Sequence, residues 1–177
     1  MNKQTALLCS VLLLLFHACT IEVNRNKAIS AAEAQTQIAT MIDSFHDAAA
    51  RADYNRYFSF FSTEASFLGT DATEHWTKDS FAVWAKPYFD RGKAWSFKSI
   101  DRHIYLDSTR QWAWFDELLS TQMKICRGSG VVVWDKQQWK IRQYVLSMTI
   151  PNSQTDQVTK LKAVEEDSLM NAILQKN

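Results

Sequence analysis

WAWFDELLSTQMKICRGSGVVVWDKQQWKIRQYVLSMTIP, residues 112–151, decides the fold. It reads as two or three long antiparallel strands with a tight reversal, and Asp135–Gln138 forms the hairpin loop. Four of the chain's seven tryptophans lie here, so the strands carry an aromatic wall. Two adjacent carboxylates, Asp116 and Glu117, interrupt that apolar run, and the patch Cys126–Gly130, CRGSG, follows. On a regular strand Asp116 and Glu117 point to opposite faces, so only one of them enters a closed interior. Polar groups set in an aromatic wall suit a small-molecule pocket.

Upstream of this stretch the chain is mostly helical. Ser30-Ala31-Ala32-Glu33 fits a capping box, and Ile38, Met41, Ile42, Phe45 and Ala49 follow at helical spacing. That helix is predicted to end near Ala52, with His46 one position off its apolar stripe. Asp53 caps a second short helix, 54–61, and Ala65–Leu68 reads as a short strand. The loop from Gly69 to Trp76 is dense in titratable groups: Asp71, Glu74 and His75. Thr77 caps a third helix to about Arg91, which Pro87 is expected to kink and Gly92 to stop. In the strand 95–106, alternation puts Trp95, Phe97, Ser99, Asp101, His103 and Tyr105 on one face and Lys98, Ile100, Arg102 and Ile104 on the other. After Pro151 comes a polar linker, then a weakly amphipathic helix carrying Val158, Leu161, Val164, Leu169 and Ile173.

A length of 177 residues fits one domain with extensions. A formal charge of +1 leaves no electrostatic footprint for nucleic acid, and none is expected as a partner. Abundant aromatics with only four glycines and two prolines argue for a packed core. The four histidines show no close pair and no metal-ligand spacing occurs, so neither a metal nor a cofactor is expected.

At the N-terminus, Lys3 precedes an apolar run from Ala6 to Phe16, about the length of a signal-peptide core and too short to cross a bilayer comfortably. It ends at His17-Ala18-Cys19, which resembles the lipobox of bacterial lipoproteins. The resemblance implies cleavage after Ala18, acylation of Cys19, and a protein held at the bacterial cell envelope by a lipid anchor. Removal of Lys3 with the signal leaves 19 basic side chains facing 19 acidic ones. Cys126 is then the one free thiol, so no intramolecular disulfide forms. The expected organisation is a signal peptide over 1–18, a tether over 19–29, a folded domain over 30–151, and a linker with a C-terminal helix over 152–177.

The element order resembles the nuclear transport factor 2-like cone fold, and more narrowly the SnoaL-like family. The residues carrying the resemblance are Phe58-Ser59-Phe60-Phe61, Ala113-Trp114-Phe115, Arg127-Gly128-Ser129-Gly130-Val131, and Trp139 through Ser147. It implies an α+β, barrel-like cone in which a strongly curved antiparallel sheet wraps a long N-terminal helix and shorter helices. Members of related folds, such as ketosteroid isomerase, scytalone dehydratase and limonene epoxide hydrolase, use Asp or His bases without a metal. Many relatives also carry a histidine near the end of the last strand, where this chain has Val145.

Within that frame Asp116 is favoured over Glu117 as the pocket carboxylate, because it shares its face with Trp112 and Trp114. Arg127 is a candidate oxyanion or carboxylate clamp. His75 is a candidate general acid or base oriented by Asp71. Trp76, Trp114, Glu117, Gln143 and Tyr144 are candidate ligand-binding residues. The competing reading makes Asp116 or Glu117 an ion-pair partner of Arg127 or Arg142, and the glycines at 128 and 130 a strand bend. The functional expectation is a conical pocket for a small, mostly apolar ligand. The alternatives are metal-free acid–base catalysis and a dimeric interaction module that does no chemistry.

Overall fold

Helix α1 (Ala31–Ala50) opens the computed structural model, which describes residues 29–176. The expected signal peptide and Cys19 lie outside the described residues. Ser30 caps α1 by accepting a hydrogen bond from the Glu33 amide at 3.1 Å. The apolar stripe buries Ile38, Ile42, Phe45 and Ala49, and His46 is buried beside them. The helix closes with Ala52 in the left-handed region (φ 54°) and the Asp53 amide donating to the Ala48 carbonyl at 2.8 Å. Asp53 then caps α2 (Tyr54–Ser59).

The chain continues through β1 (Phe61–Leu68) and β2 (His75–Thr77), a short strand where a loop is expected. Helix α3 (Lys78–Asp90) is capped by Thr77, contains Pro87, and stops at Gly92, whose φ is 69°. Strands β3 (Lys98–Leu106), β4 (Trp112–Thr121), β5 (Lys124–Asp135) and β6 (Gln138–Met148) complete the domain. The six strands lie in the order β2-β1-β6-β5-β4-β3. Every joint is antiparallel except β1 with β6, which run parallel.

Irregularities bend the sheet around α1. Register shifts fall between Phe61 and Ser66 of β1, between Ser99 and Asp101 of β3, and between Val131 and Val132 of β5, where Arg142 is the extra residue on β6. The concave face meets α1, α2 and α3 in an aromatic core that includes Phe45, Tyr57, Phe58, Phe61, Phe81 and Phe89. Phe45 stacks on Tyr57 with centroids 4.5 Å apart, and Phe81 stacks on Phe67 at 4.0 Å.

Beyond Pro151, a single 3₁₀ turn leads into α4 (Thr155–Leu174), longer than the sequence pattern implies and with no buried residue. Among the described residues no helix is long and apolar enough to cross a membrane.

Candidate functional site

Strand β4 places Ala113, Phe115, Glu117 and Leu119 on the concave face. Glu117 is therefore the interior carboxylate, at 1% exposure. This corrects the preference for Asp116, which lies on the convex face with Trp112 and Trp114, its carboxylate 3.4 Å from His103. The aromatic neighbours that favoured Asp116 are the exposed wall, not the interior one: Trp114 is half exposed and stacks on Tyr105.

Three elements converge on the Glu117 carboxylate. His46 of α1 approaches Oε1 with Nε2 at 2.8 Å, and the Tyr144 hydroxyl of β6 donates to the same oxygen at 3.1 Å. Arg102 of β3 donates from Nε to Oε2 at 2.9 Å. Its Nη2 also lies 2.8 Å from that oxygen as an ion-pair contact. Arg102 is itself steadied by Asp43 at 2.8 Å and by the Ala39 carbonyl at 3.2 Å.

The electrostatics follow from this clamp. Burial pushes the Glu117 carboxyl up, but the His46 hydrogen bond and charge, with Arg102, outweigh it and leave the pKa below the ordinary value of 4.5. Burial pulls Arg102 down, and Glu117 and Asp43 more than restore it. Tyr144 is held well above its usual range, by burial first and by the Glu117 charge second. Glu117 and Arg102 thus form a charge-balanced buried pair, with Tyr144 as a neutral donor. A carboxylate only accepts, so His46 Nε2 is the donor in this contact. Nδ1 is buried and has no partner among the described residues.

Space for this cluster comes from Gly128. A Cβ there would overlap the Tyr144 hydroxyl and press on the Glu117 side chain at 3.0 Å. The glycines of CRGSG make no bulge against β4, since β4 and β5 pair without a shift through the whole segment. Close approach of backbone to side chain is what they allow.

A cleft opens at the Lys124 end of β5, near the turn that joins β4 to it. Its volume is about 140 Å³. Phe67, Trp76, Phe81, Trp84, Trp95 and Phe97 wall it, and Glu74 is the ionisable group in its lining. Phe67 stacks over Tyr144 with centroids 5.7 Å apart, and the ring of Phe97 lies 6.0 Å from that of His46. The Glu117 cluster thus sits behind the aromatic floor of the cleft.

The expected site residues divide accordingly. Glu117, Tyr144 and Trp76 face the interior or the cleft. Asp116, Trp114 and Gln143 lie on the convex side, where Gln143 reaches Ser66 at 3.5 Å. Arg127 is exposed on that side too, opposite Leu118 and Ser147, so it clamps nothing in the interior. Arg142 pairs with Glu64 at 2.7 Å rather than with either β4 carboxylate. Asp71 does not orient His75. Its carboxylate accepts from the Thr73 amide and hydroxyl at 2.8 and 2.6 Å, and His75 is exposed. Sequence reasoning missed Arg102 and set His46 aside. What hides Arg102 from the sequence is the irregularity at Ile100. Alternation without it places Phe97 and Arg102 on opposite faces, whereas the extra residue puts both inside.

The SnoaL-like domain profile matches residues 38–151. The chain belongs to the SnoaL-like family. No curated protein matches it by sequence. Solved structures share the fold of this SnoaL-like domain and resemble it only distantly in sequence. A Nostoc punctiforme domain of unknown function with a cystatin-like fold is 16% identical with a TM-score of 0.60, covering 84% of this chain and 100% of its own. A candidate dehydratase of the nuclear transport factor 2-like family from Streptomyces avermitilis is 13% identical, TM-score 0.56, covering 66% and 96%. A candidate scytalone dehydratase from Novosphingobium aromaticivorans is 14% identical, TM-score 0.56, covering 66% and 84%. At these identities the likeness establishes the cone fold alone. Among the described residues no group of three or more acidic, histidine or cysteine side chains is placed to hold a metal ion.

Proposed function

We propose that this SnoaL-like domain binds a small, mostly apolar molecule in the aromatic cleft, while the Glu117 cluster stiffens the cone behind it. The observation that carries the reading is the cleft itself: six aromatic walls around about 140 Å³, with one carboxylate, Glu74, among its lining groups. An apolar cavity of about 150 Å³ accepts a benzene-sized ring. A single ring bearing one hydroxyl matches the space and gives Glu74 a donor to accept from. The test is thermal unfolding of the full chain with p-cresol and with toluene. Both ligands are expected to raise Tm, and Glu74→Gln is expected to reduce the p-cresol effect and spare that of toluene. Unchanged Tm at saturating concentrations of both would refute the reading.

Metal-free acid–base catalysis is a second reading, supported by the buried His46 Nδ1, which has no hydrogen-bond partner among the described residues. A base whose other nitrogen is fixed by a carboxylate is the arrangement that general-base chemistry uses. Phe97 would have to turn aside for a molecule in the aromatic cleft to reach His46, which also lines a separate groove with Asp43, Asp47 and Ser99. Deuterium exchange at the α-carbon of a small cyclic ketone, lost in His46→Gln and faster in Phe97→Ala, would support this reading. Exchange at the buffer rate in all three proteins would remove it.

The lipobox-like His17-Ala18-Cys19 extends the proposal to location: a binder tethered to the bacterial envelope by acylated Cys19. Labelled palmitate incorporation into the full chain, abolished by Cys19→Ala, is the expected result. Membrane partitioning that survives Cys19→Ala after signal processing would contradict it.

A further inference from the structure

A second groove lies at the other end of β5, against the turn that joins it to β6. Its volume is about 440 Å³, within the range of about 300–1,000 Å³ usual for small-molecule sites. One wall is the middle of α1, from Thr36 to Ser44, and the other is the hairpin carrying Trp134 and Trp139. None of its lining residues is charged. That composition differs from the first cleft, where aromatic rings dominate and Glu74 sits among them.

The geometry points to a binding site for a neutral saccharide in this groove, with Trp134 as the stacking platform and Gln37, Gln137 and Gln138 as the hydrogen-bonding rim. The indoles of Trp134 and Trp139 have centroids 5.4 Å apart at 67°, so they form a corner rather than a flat stack. A sugar ring presents an apolar C–H face and a rim of hydroxyls. The face packs on an indole, and the rim needs groups that both donate and accept. Carboxamides do both, each with one oxygen and two N–H donors. Among the described residues the side chains of Gln37, Gln137, Gln138 and Ser44 form no hydrogen bond with protein. The Thr36 and Thr40 hydroxyls are already committed, each donating at 2.9 Å to a carbonyl one helical turn back.

Trp139 supplies an independent observation. It is 4% exposed and lines the groove, yet its Nε1–H is buried with no acceptor among the described residues. A buried donor left without an acceptor is unfavourable, so the indole gains by tilting this N–H toward a ligand oxygen in the groove. The turn adds preorganisation. Lys136 and Gln137 both adopt positive φ, 46° and 66°, in a two-residue hairpin that holds Gln137 and Gln138 at the rim. Neither is the glycine or asparagine that such turns favour. An absent charge selects against acidic and basic ligands, which would give up hydration with no counter-charge in return.

The experiment is isothermal titration of the full chain with chitotetraose, maltotetraose and tetragalacturonate. At least one neutral tetrasaccharide is expected to saturate with Kd below about 1 mM, and the charged one to bind at least tenfold more weakly. Trp134→Ala is expected to weaken the neutral ligand at least tenfold, Trp134→Phe to recover part of that loss, and Trp114→Ala on the convex face to change nothing. Gln137→Ala with Gln138→Ala, at exposed turn positions, provides a second variant if Trp134→Ala does not fold. That pair is expected to weaken binding at least fivefold. No saturation by either neutral tetrasaccharide to about 10 mM in folded wild type would overturn the assignment, as would undiminished binding in the folded variants.

Discussion

Glu117 and Asp116 are consecutive on β4, and the strand gives them opposite worlds. Glu117 is 1% exposed and held by His46, Tyr144 and Arg102 from three other elements. Asp116 meets one partner, His103, at 3.4 Å, with both side chains about half in solvent. The same carboxylate chemistry therefore contributes very differently. In the interior the charge is desolvated and each partner is needed. On the convex face water and salt screen the pair. A sheet with one closed face sorts its polar groups by parity of position, and position on the strand outweighs residue type.

The contrast breaks most visibly at Glu117 itself. Glu117→Gln removes the buried counter-charge of Arg102, leaves it only the exposed Asp43, and is expected to cost about 3–5 kcal/mol in urea unfolding. A loss below about 1 kcal/mol would mean that the clamp stabilises little. Acid sharpens the same comparison. The folded pKa of Glu117 lies below 4.5, so its contribution is fully present above that value and is lost as pH falls through the folded pKa. The acid limb of wild-type stability is therefore expected to be steeper than that of Glu117→Gln, measured by unfolding midpoints between pH 6 and pH 2. Equal slopes would place the acid-sensitive groups elsewhere. Tyr144→Phe removes one of the donors to Glu117 without changing shape and is expected to cost about 1–2 kcal/mol. Asp116→Asn closes the series at no more than about 0.5 kcal/mol in either direction, as expected of an exposed pair.

The fold was legible because its signals are local and repeated. Ser30 and Asp53 cap where a capping residue precedes a helical stripe, and Asp135–Gln138 turns where two strand patterns meet. The interior was less legible because it depends on parity. Alternation tells that Asp116 and Glu117 part company but not which side closes, since both faces of β4 carry aromatic or aliphatic neighbours. Parity also fails silently at a bulge. The extra residue at Ile100 brings Phe97 and Arg102 to one face, and no glycine or proline marks the spot. His46 was visible as a residue at the edge of its stripe, but its partner lies 71 positions away. Only the pairing of β4 with β5, and of β5 with β6, brings Tyr144, Gly128 and Glu117 to one point beside it.

The aromatic surfaces offer the most direct test of the central claim, because the molecule carries one inside and one outside. Trp76 belongs to the cleft, and Trp114 stacks on Tyr105 on the convex face. The measurement is a titration of the full chain with p-cresol, followed by tryptophan fluorescence, in wild type, Trp76→Ala and Trp114→Ala. Saturable binding that persists in Trp114→Ala and is lost in Trp76→Ala is the expected result. Saturable binding that persists in Trp76→Ala and disappears in Trp114→Ala, or no saturable binding in folded wild type, would contradict the assignment of the cleft as the ligand site.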